Sequence, residues 1–298
     1  MKFLETIING FSVGGIYAMI ALGYTMVYGI AKMLNFAHGD IIMVGAYMIL
    51  LFLPINPIAA IIAAVLFCAV FGIFIEKIAY KPLRGASPLA VLITAIGVSY
   101  LLQSLAQIIA GPNPKLNELF EKLFPKFLET HRGGIITIGS FNLKLSTIIT
   151  LVCALLVMVG LTLFVKRTKT GRAMVAVSED KGAAQLMGIN VNVIIMITFA
   201  IGSALAALAS TLMMLDGQKF EVNMGSLPGI KAFTAAVIGG IGSIPGAMVG
   251  GIALGFIECF AQMFGLGSYT VAIEFSILII VLLVKPTGIL GKKRREKV

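Results

Sequence analysis

The chain has 298 residues, 59% of them hydrophobic and only 12% charged, with a mean hydropathy of +1.02. A soluble globular domain carries about 25% charged residues, so the composition excludes a water-soluble enzyme and describes an integral membrane protein. The net charge of +10 comes from 23 basic against 13 acidic residues. The basic residues fall between apolar runs and in the tail, which makes membrane topology, not nucleic acid, their explanation.

A helix needs about 20 residues to cross a hydrocarbon core of roughly 30 Å. Apolar runs at 6–30, 38–54, 57–80, 88–110, 145–165, 191–215, 246–264 and 268–284 meet that length, and a shorter, small-residue run at 229–241 is a ninth candidate. The expected fold is a single all-α transmembrane domain over 1–298, a polytopic bundle of eight to nine transmembrane helices with broken or re-entrant segments. The first run is too long for a signal-peptide core and no A-x-A site follows it, so no cleavage is expected. Short loops rich in Lys and Arg face the cytoplasm. Lys77, Lys81 and Arg84 lie in one, Lys166, Arg167, Lys169, Arg172 and Lys181 in a second, and Lys285 with the basic tail at the C-terminal end. That parity puts the 31–37 turn inside and the N-terminus outside, and it requires 229–241 to cross.

The first polar interruption is "MLNFAHGDIIM", with Asn35, His38 and Asp40 amid apolar residues. It reads either as a capped turn or as a helix broken beside a path. With His131 the only other histidine, a metal site is not expected. Cys68, Cys153 and Cys259 each sit in an apolar run and read as small buried hydrophobes. Farther on, the 111–144 connection carries Leu116, Leu119, Phe120, Leu123, Phe124, Phe127 and Leu128 at helical spacing, opposite a charged face. This predicts an amphipathic helix on the outer surface, serving as a cap or as a dock for an external partner. The stretch "GGIITIGSFNLKLS" then predicts a small hairpin.

The loop 166–190 contains "AVSEDKGAAQLMGIN". Ser178 is expected to cap a helix over 179–187, with Glu179 and Asp180 in its first turn and Gly188 just past its end. Its apolar side is Ala183, Ala184, Leu186 and Met187. A helix this short does not hold by itself; it packs on its own bundle or docks into a groove of a cytoplasmic partner. Near the end, "VIGGIGSIPGAMVGGIALG" sets Gly242, Gly246 and Gly250 in one row and Ala247, Gly251 and Gly255 in another. Gly10, Gly14 and Ala18 repeat the spacing near the start, and Ser203, Ala207 and Thr211 echo it. Such rows let helix backbones approach closely. Pro245 among these glycines predicts a turn or unwinding.

Three stretches together carry a resemblance: "ALGYTMVYGIAKMLNFAHGDIIMVGAY", "AVSEDKGAAQLMGIN" and "AVIGGIGSIPGAMVGG". In this order the chain resembles the LivH-type permease subunits of bacterial ABC importers for branched-chain amino acids. The resemblance implies a multi-pass inner-membrane protein that forms a pore with a second permease. It also implies two cytoplasmic ATPase subunits docked on the loop helices, and an external binding protein that delivers leucine, isoleucine or valine. Ala183, Ala184 and Gly188 keep the spacing of the importers' "EAA---G" loop, but Gly182 stands where that pattern has Glu. The coupling candidates are then Ser178, Glu179, Asp180, Ala183, Ala184, Leu186, Met187 and Gly188. Asn35, His38, Asp40, Gly240, Gly242, Ser243, Pro245 and Gly246 are the candidates for the translocation path.

No G-x-x-x-x-G-K-[ST] run occurs, so any ATP is expected to be bound by other subunits, with no cofactor or nucleic acid on this chain. Glu258 and Glu274 lie inside apolar runs, where a carboxylate costs about 2.5–3.5 kcal/mol at the bilayer centre. With Asp40 they would be the ion sites of the alternative reading, a self-sufficient secondary transporter. An intramembrane enzyme lacks a convergent Ser/His/Asp set. Urea, amides or other amino acids are alternative cargoes.

Overall fold

The computed structural model describes residues 2–110, 136–138, 141–143, 145–218 and 220–291. The expected amphipathic helix, His131 and the basic tail lie outside the described residues. The helices are α1 (Lys2–Ala31), α2 (His38–Phe52), α3 (Pro57–Ile75), α4 (Pro88–Ala110), α5 (Leu145–Arg167), α6 (Lys169–Glu179), α7 (Lys181–Leu186), α8 (Val191–Leu215), α9 (Ser226–Gly239), α10 (Ile244–Met263) and α11 (Thr270–Val284). A π turn (Glu76–Tyr80) and a 3-10 turn (Lys81–Leu83) continue α3. The expected hairpin is present as antiparallel β1 (Ile136–Ile138) and β2 (Phe141–Leu143), with Thr137 opposite Asn142.

Among the described residues, seven helices are long and apolar enough to cross a membrane: α1, α3, α4, α5, α8, α10 and α11. The other two apolar helices, α2 and α9, have only 15 and 14 residues. At 1.5 Å per residue they reach about 22 and 21 Å, short of a full core. The run 38–54 therefore yields a shorter helix than expected, ending at Phe52.

Helix α1 is the axis of the bundle, and its residues Ala18–Leu22 are wholly buried. Small residues make this possible. A Cβ on Gly14 would lie 2.7 Å from the Ile252 Cα, and one on Gly10 would lie 2.6 Å from the Phe256 ring. Gly251 and Gly255 of α10 sit in turn on the backbone at Ala18 and Gly14. Two of the glycine rows thus form one seam, α1 against α10. The other row of α10 meets α9, where a Cβ on Gly250 would be 2.8 Å from the Gly239 nitrogen. Gly72 and Gly45 bring α3 and α2 onto Ser203 and Ala207 of α8. Lipid offers no hydrophobic force between helices, so such close packing is what holds them.

Pro245 does not interrupt a helix. Gly240 and Gly242 turn the chain at φ of 107° and 95°. Ser243 then caps α10 by accepting the Gly246 N–H at 3.2 Å. Pro245 falls in the first turn, where its missing N–H costs nothing.

Candidate translocation and coupling sites

The chain leaves α1 at Lys32, which takes a left-handed φ of 58°, and turns back into the bundle. The Tyr80 hydroxyl donates to Asn35 Oδ1 at 2.8 Å and anchors this loop from α3's π turn. Helix α2 starts at His38, whose ring stands against Gly23, 2.6 Å from where a Cβ would be. Gly23 is eight residues before the end of α1, or about 12 Å into the bundle. Helix α9 starts at the same place, since a Cβ on Gly39 would be 3.2 Å from the Gly225 carbonyl carbon. The chain reaches that point from the opposite end, where Ser12 Oγ donates to Asp216 Oδ1 at 3.3 Å, through turns and with no helix among the described residues on the way. Helix α9 then runs from the meeting point to the turn at Gly240, and with 14 residues it is too short to cross by itself, as the charge parity had required of 229–241. The N-termini of two short helices meet inside the bundle; the opening polar stretch turns the chain there, and contrary to the capped-turn reading no side chain caps the start of α2.

Polar groups gather at this meeting point. Asp40 sits in the first turn of α2, where the helix dipole favours a carboxylate. The Gln103 amide of α4 donates to Asp40 Oδ1 at 2.8 Å and to Ser99 Oγ and Ser226 Oγ at 3.1 Å. The His38 ring stands edge-on to Tyr24, with centroids 4.6 Å apart. Asn35, His38 and Asp40 are thus brought together. Gly240, Gly242 and Ser243 instead form the turn at the other end of α9, and Pro245 and Gly246 start α10 after it; a Cβ on Gly29 of α1 would lie 3.2 Å from the Gly242 Cα.

Glu258 and Glu274 converge on a residue absent from the sequence candidates, Lys231 of α9. Its ammonium lies 2.9 Å from Glu258 Oε2 and 3.2 Å from Glu274 Oε1. The Tyr17 hydroxyl also donates to Glu258 Oε2, at 2.6 Å. A lysine in the run 229–241 needed a counter-charge, and two intramembrane carboxylates needed a cation; pairing those requirements would have found it. Among the described residues no group of three His, Cys, Asp or Glu side chains is placed to hold a metal ion.

The coupling loop is cut differently from the expectation. The helix over 179–187 is two helices, with Glu179 ending α6 and Asp180 extended between them at φ −151°. Asp180, not Ser178, is the cap: its Oδ1 accepts from Gly182 and Ala183 at 2.8 and 3.0 Å. Ser178 Oγ instead donates to the Val175 carbonyl within α6. Aspartate wins because its carboxylate reaches both free amides from an extended backbone. Gly188 ends α7 as expected, at φ 80°, with its N–H bonded to the Gln185 carbonyl and that of Ile189 to Ala184. Ala184 faces inward, whereas Leu186 and Met187 are 91% and 82% exposed.

Lys181, at the start of α7, donates to the Ala31 carbonyl at the end of α1, 3.2 Å away. Burial and the neighbouring Arg84 push its amine below the usual lysine range. Arg84 itself bridges Glu76 and Asn192. Lys32, Arg84, Lys181 and the 285–291 segment therefore share one basic end of the bundle.

Two short helices joined nose to nose in a glycine-packed bundle, with a helix on the basic end holding two apolar side chains outward, define a membrane transport subunit. The comparisons specify which class. The chain belongs to the family described as the branched-chain amino acid transport system permease component, which matches residues 6–282. It is 43% identical to the high-affinity branched-chain amino acid transport system permease protein BraD of Pseudomonas aeruginosa, over 99% of this chain and 98% of that one. It is 40% identical to the LivH permease of Salmonella typhimurium, over 100% and 98%. The solved structure of PsaBC from Streptococcus pneumoniae in complex with Fab has the same fold, with a TM-score of 0.50 at 18% identity over 96% of this chain and 93% of that one.

Proposed function

We propose that this chain is one of two permease subunits of an ATP-driven importer that moves leucine, isoleucine and valine into a bacterial cell across its inner membrane. The BraD and LivH proteins it resembles along their full length transport branched-chain amino acids. The basic end faces the cytoplasm, as the charge rule requires. An external binding protein selects the cargo, and two cytoplasmic subunits bind ATP. Through Lys181, movement of α7 pulls on the end of α1 and on the loop 32–37. That loop carries Asn35 and His38 to the meeting point of α2 and α9, where the passage opens or shuts. Lys231 neutralises one of the two intramembrane glutamates, which makes them a poorer ion site for the secondary-transporter reading.

The carrying observation is α7, closed at both ends by its own caps while Leu186 and Met187 stand exposed. A soluble motor has an apolar knob to grip there. Changing Leu186→Arg together with Met187→Arg should release the ATPase subunits from the purified complex and abolish ATP-driven leucine uptake. Retained ATPases and normal uptake would overturn the docking assignment.

A further inference from the structure

Beneath the loop 32–37 lies a cavity of about 10 Å³, room for a single water. Four polar side chains line it, and all but the partly exposed Tyr28 are more than nine-tenths buried: Tyr24 at 4% exposure, Asn35 at 3% and His38 at 1%. The Tyr24 hydroxyl, Asn35 Nδ2 and both His38 ring nitrogens make no hydrogen bond of ordinary geometry. The Tyr24 oxygen lies toward the Gly39 N–H, and one His38 nitrogen leans toward the Ile20 carbonyl. Asn35 is oriented by Tyr80, which takes its Oδ1 and leaves the Nδ2 donor aimed elsewhere. An unsatisfied buried polar group costs about 1–3 kcal/mol, and the interior of a bilayer supplies no bulk water to relieve it.

Tyr24 and Asn35 can donate an O–H and an amide N–H, and a neutral His38 adds its one N–H once the ring turns away from the Ile20 carbonyl. Apart from Tyr28 the rest of the wall is apolar, with Val27, Met33 and Phe233 offering the kind of surface a branched aliphatic side chain packs on. We propose that Tyr24, Asn35 and His38 form a collapsed subsite for the carboxylate of the amino acid in transit. It is filled when the loop 32–37 draws away from α9. The proposal rests on the importer reading, and it goes further by assigning the cargo's carboxylate to three named donors. In the closed packing the space holds at most one water; in the open one the donors meet the substrate's anionic end and the apolar wall meets its side chain.

The test uses the complete transporter in proteoliposomes, with binding protein, external leucine and internal ATP, and counts uptake per assembled complex that hydrolyses ATP. Asn35→Asp puts a carboxylate against a carboxylate and should cut leucine uptake by roughly tenfold or more, below Asn35→Ser, although Ser removes more of the side chain. Tyr24→Phe, which keeps its size, should lose several-fold, and His38→Gln should retain more uptake than His38→Ala. If Asn35→Asp fails to assemble, Tyr24→Phe and the His38 pair decide. Wild-type uptake in Tyr24→Phe and both His38 variants would overturn the subsite and leave the importer reading standing. Variants that melt earlier but transport normally per complex would show a structural water only, which also overturns it. A wild-type complex that takes up no leucine with ATP would remove both readings.

Discussion

In helix α1, 89% of the apolar window is buried inside the bundle, against 11% for the segment of α11. A hydropathy scan finds both, yet they are held in different ways. Helix α1 lies backbone to backbone against α10 through Gly10, Gly14, Ala18, Gly251 and Gly255. Helix α11 presents Ile279, Ile280, Leu283 and Val284 outward, and among its helical residues buries only Thr270 and Glu274. Its polar tie to the bundle is the Glu274–Lys231 ion pair. One helix is attached by shape over its length and the other largely by charge at one point. The first attachment should fail by steric overlap and the second by loss of one partner.

The largest effect belongs to the charge. Lys231→Met would strand the buried Glu274 carboxylate and the partly buried Glu258, and breaking a buried ion pair costs about 3–5 kcal/mol. Thermal unfolding of the purified complex should show a large drop. The triple variant Lys231→Met, Glu258→Gln, Glu274→Gln should recover much of it, and a single variant as stable as wild type would show that the pair holds nothing. Next comes the seam. Gly251→Ala would push a methyl into the Ala18 backbone, an overpacking cost of about 1–3 kcal/mol, visible as weaker resistance to detergent unfolding. Asp180→Ala removes the cap of α7 for about 1 kcal/mol, and faster hydrogen exchange at the Gly182 and Ala183 amides should report it. Smallest, and opposite in sign, is Gly160→Ala on α5, where a Cβ meets nothing within 4 Å. In a helix interior that change should stabilise by up to about 1 kcal/mol, and destabilisation there would blur the distinction between packed and lipid-facing glycines.

Much of this was legible before the fold was known, because glycine spacing and apolar length state local requirements. The rows in "VIGGIGSIPGAMVGGIALG" marked helix contacts, and Pro245 marked the turn. What the rows could not say is which row meets which, since that depends on where α1 lies. Asp180 was misassigned for a related reason. Ser178, Glu179 and Asp180 are all competent near a helix N-terminus, and only the extended backbone at Asp180 decides among them. Lys231 was hidden by its neighbours: a single charge in "SLPGIKAFTAAVIGG" reads as a break in a weak span until two carboxylates are seen to need it. The meeting of α2 and α9 inside the bundle is a tertiary fact, although the polar stretch at Asn35–Asp40 pointed to one half of it.

The most direct test of the account is leucine uptake into proteoliposomes holding this chain with the proposed second permease, ATPases and binding protein. Uptake should appear on adding ATP to the nucleotide-facing side, with no proton or sodium gradient imposed. It should vanish when the ATPases are omitted. Uptake driven by an ion gradient through this chain alone, with ATP making no difference, would contradict the account.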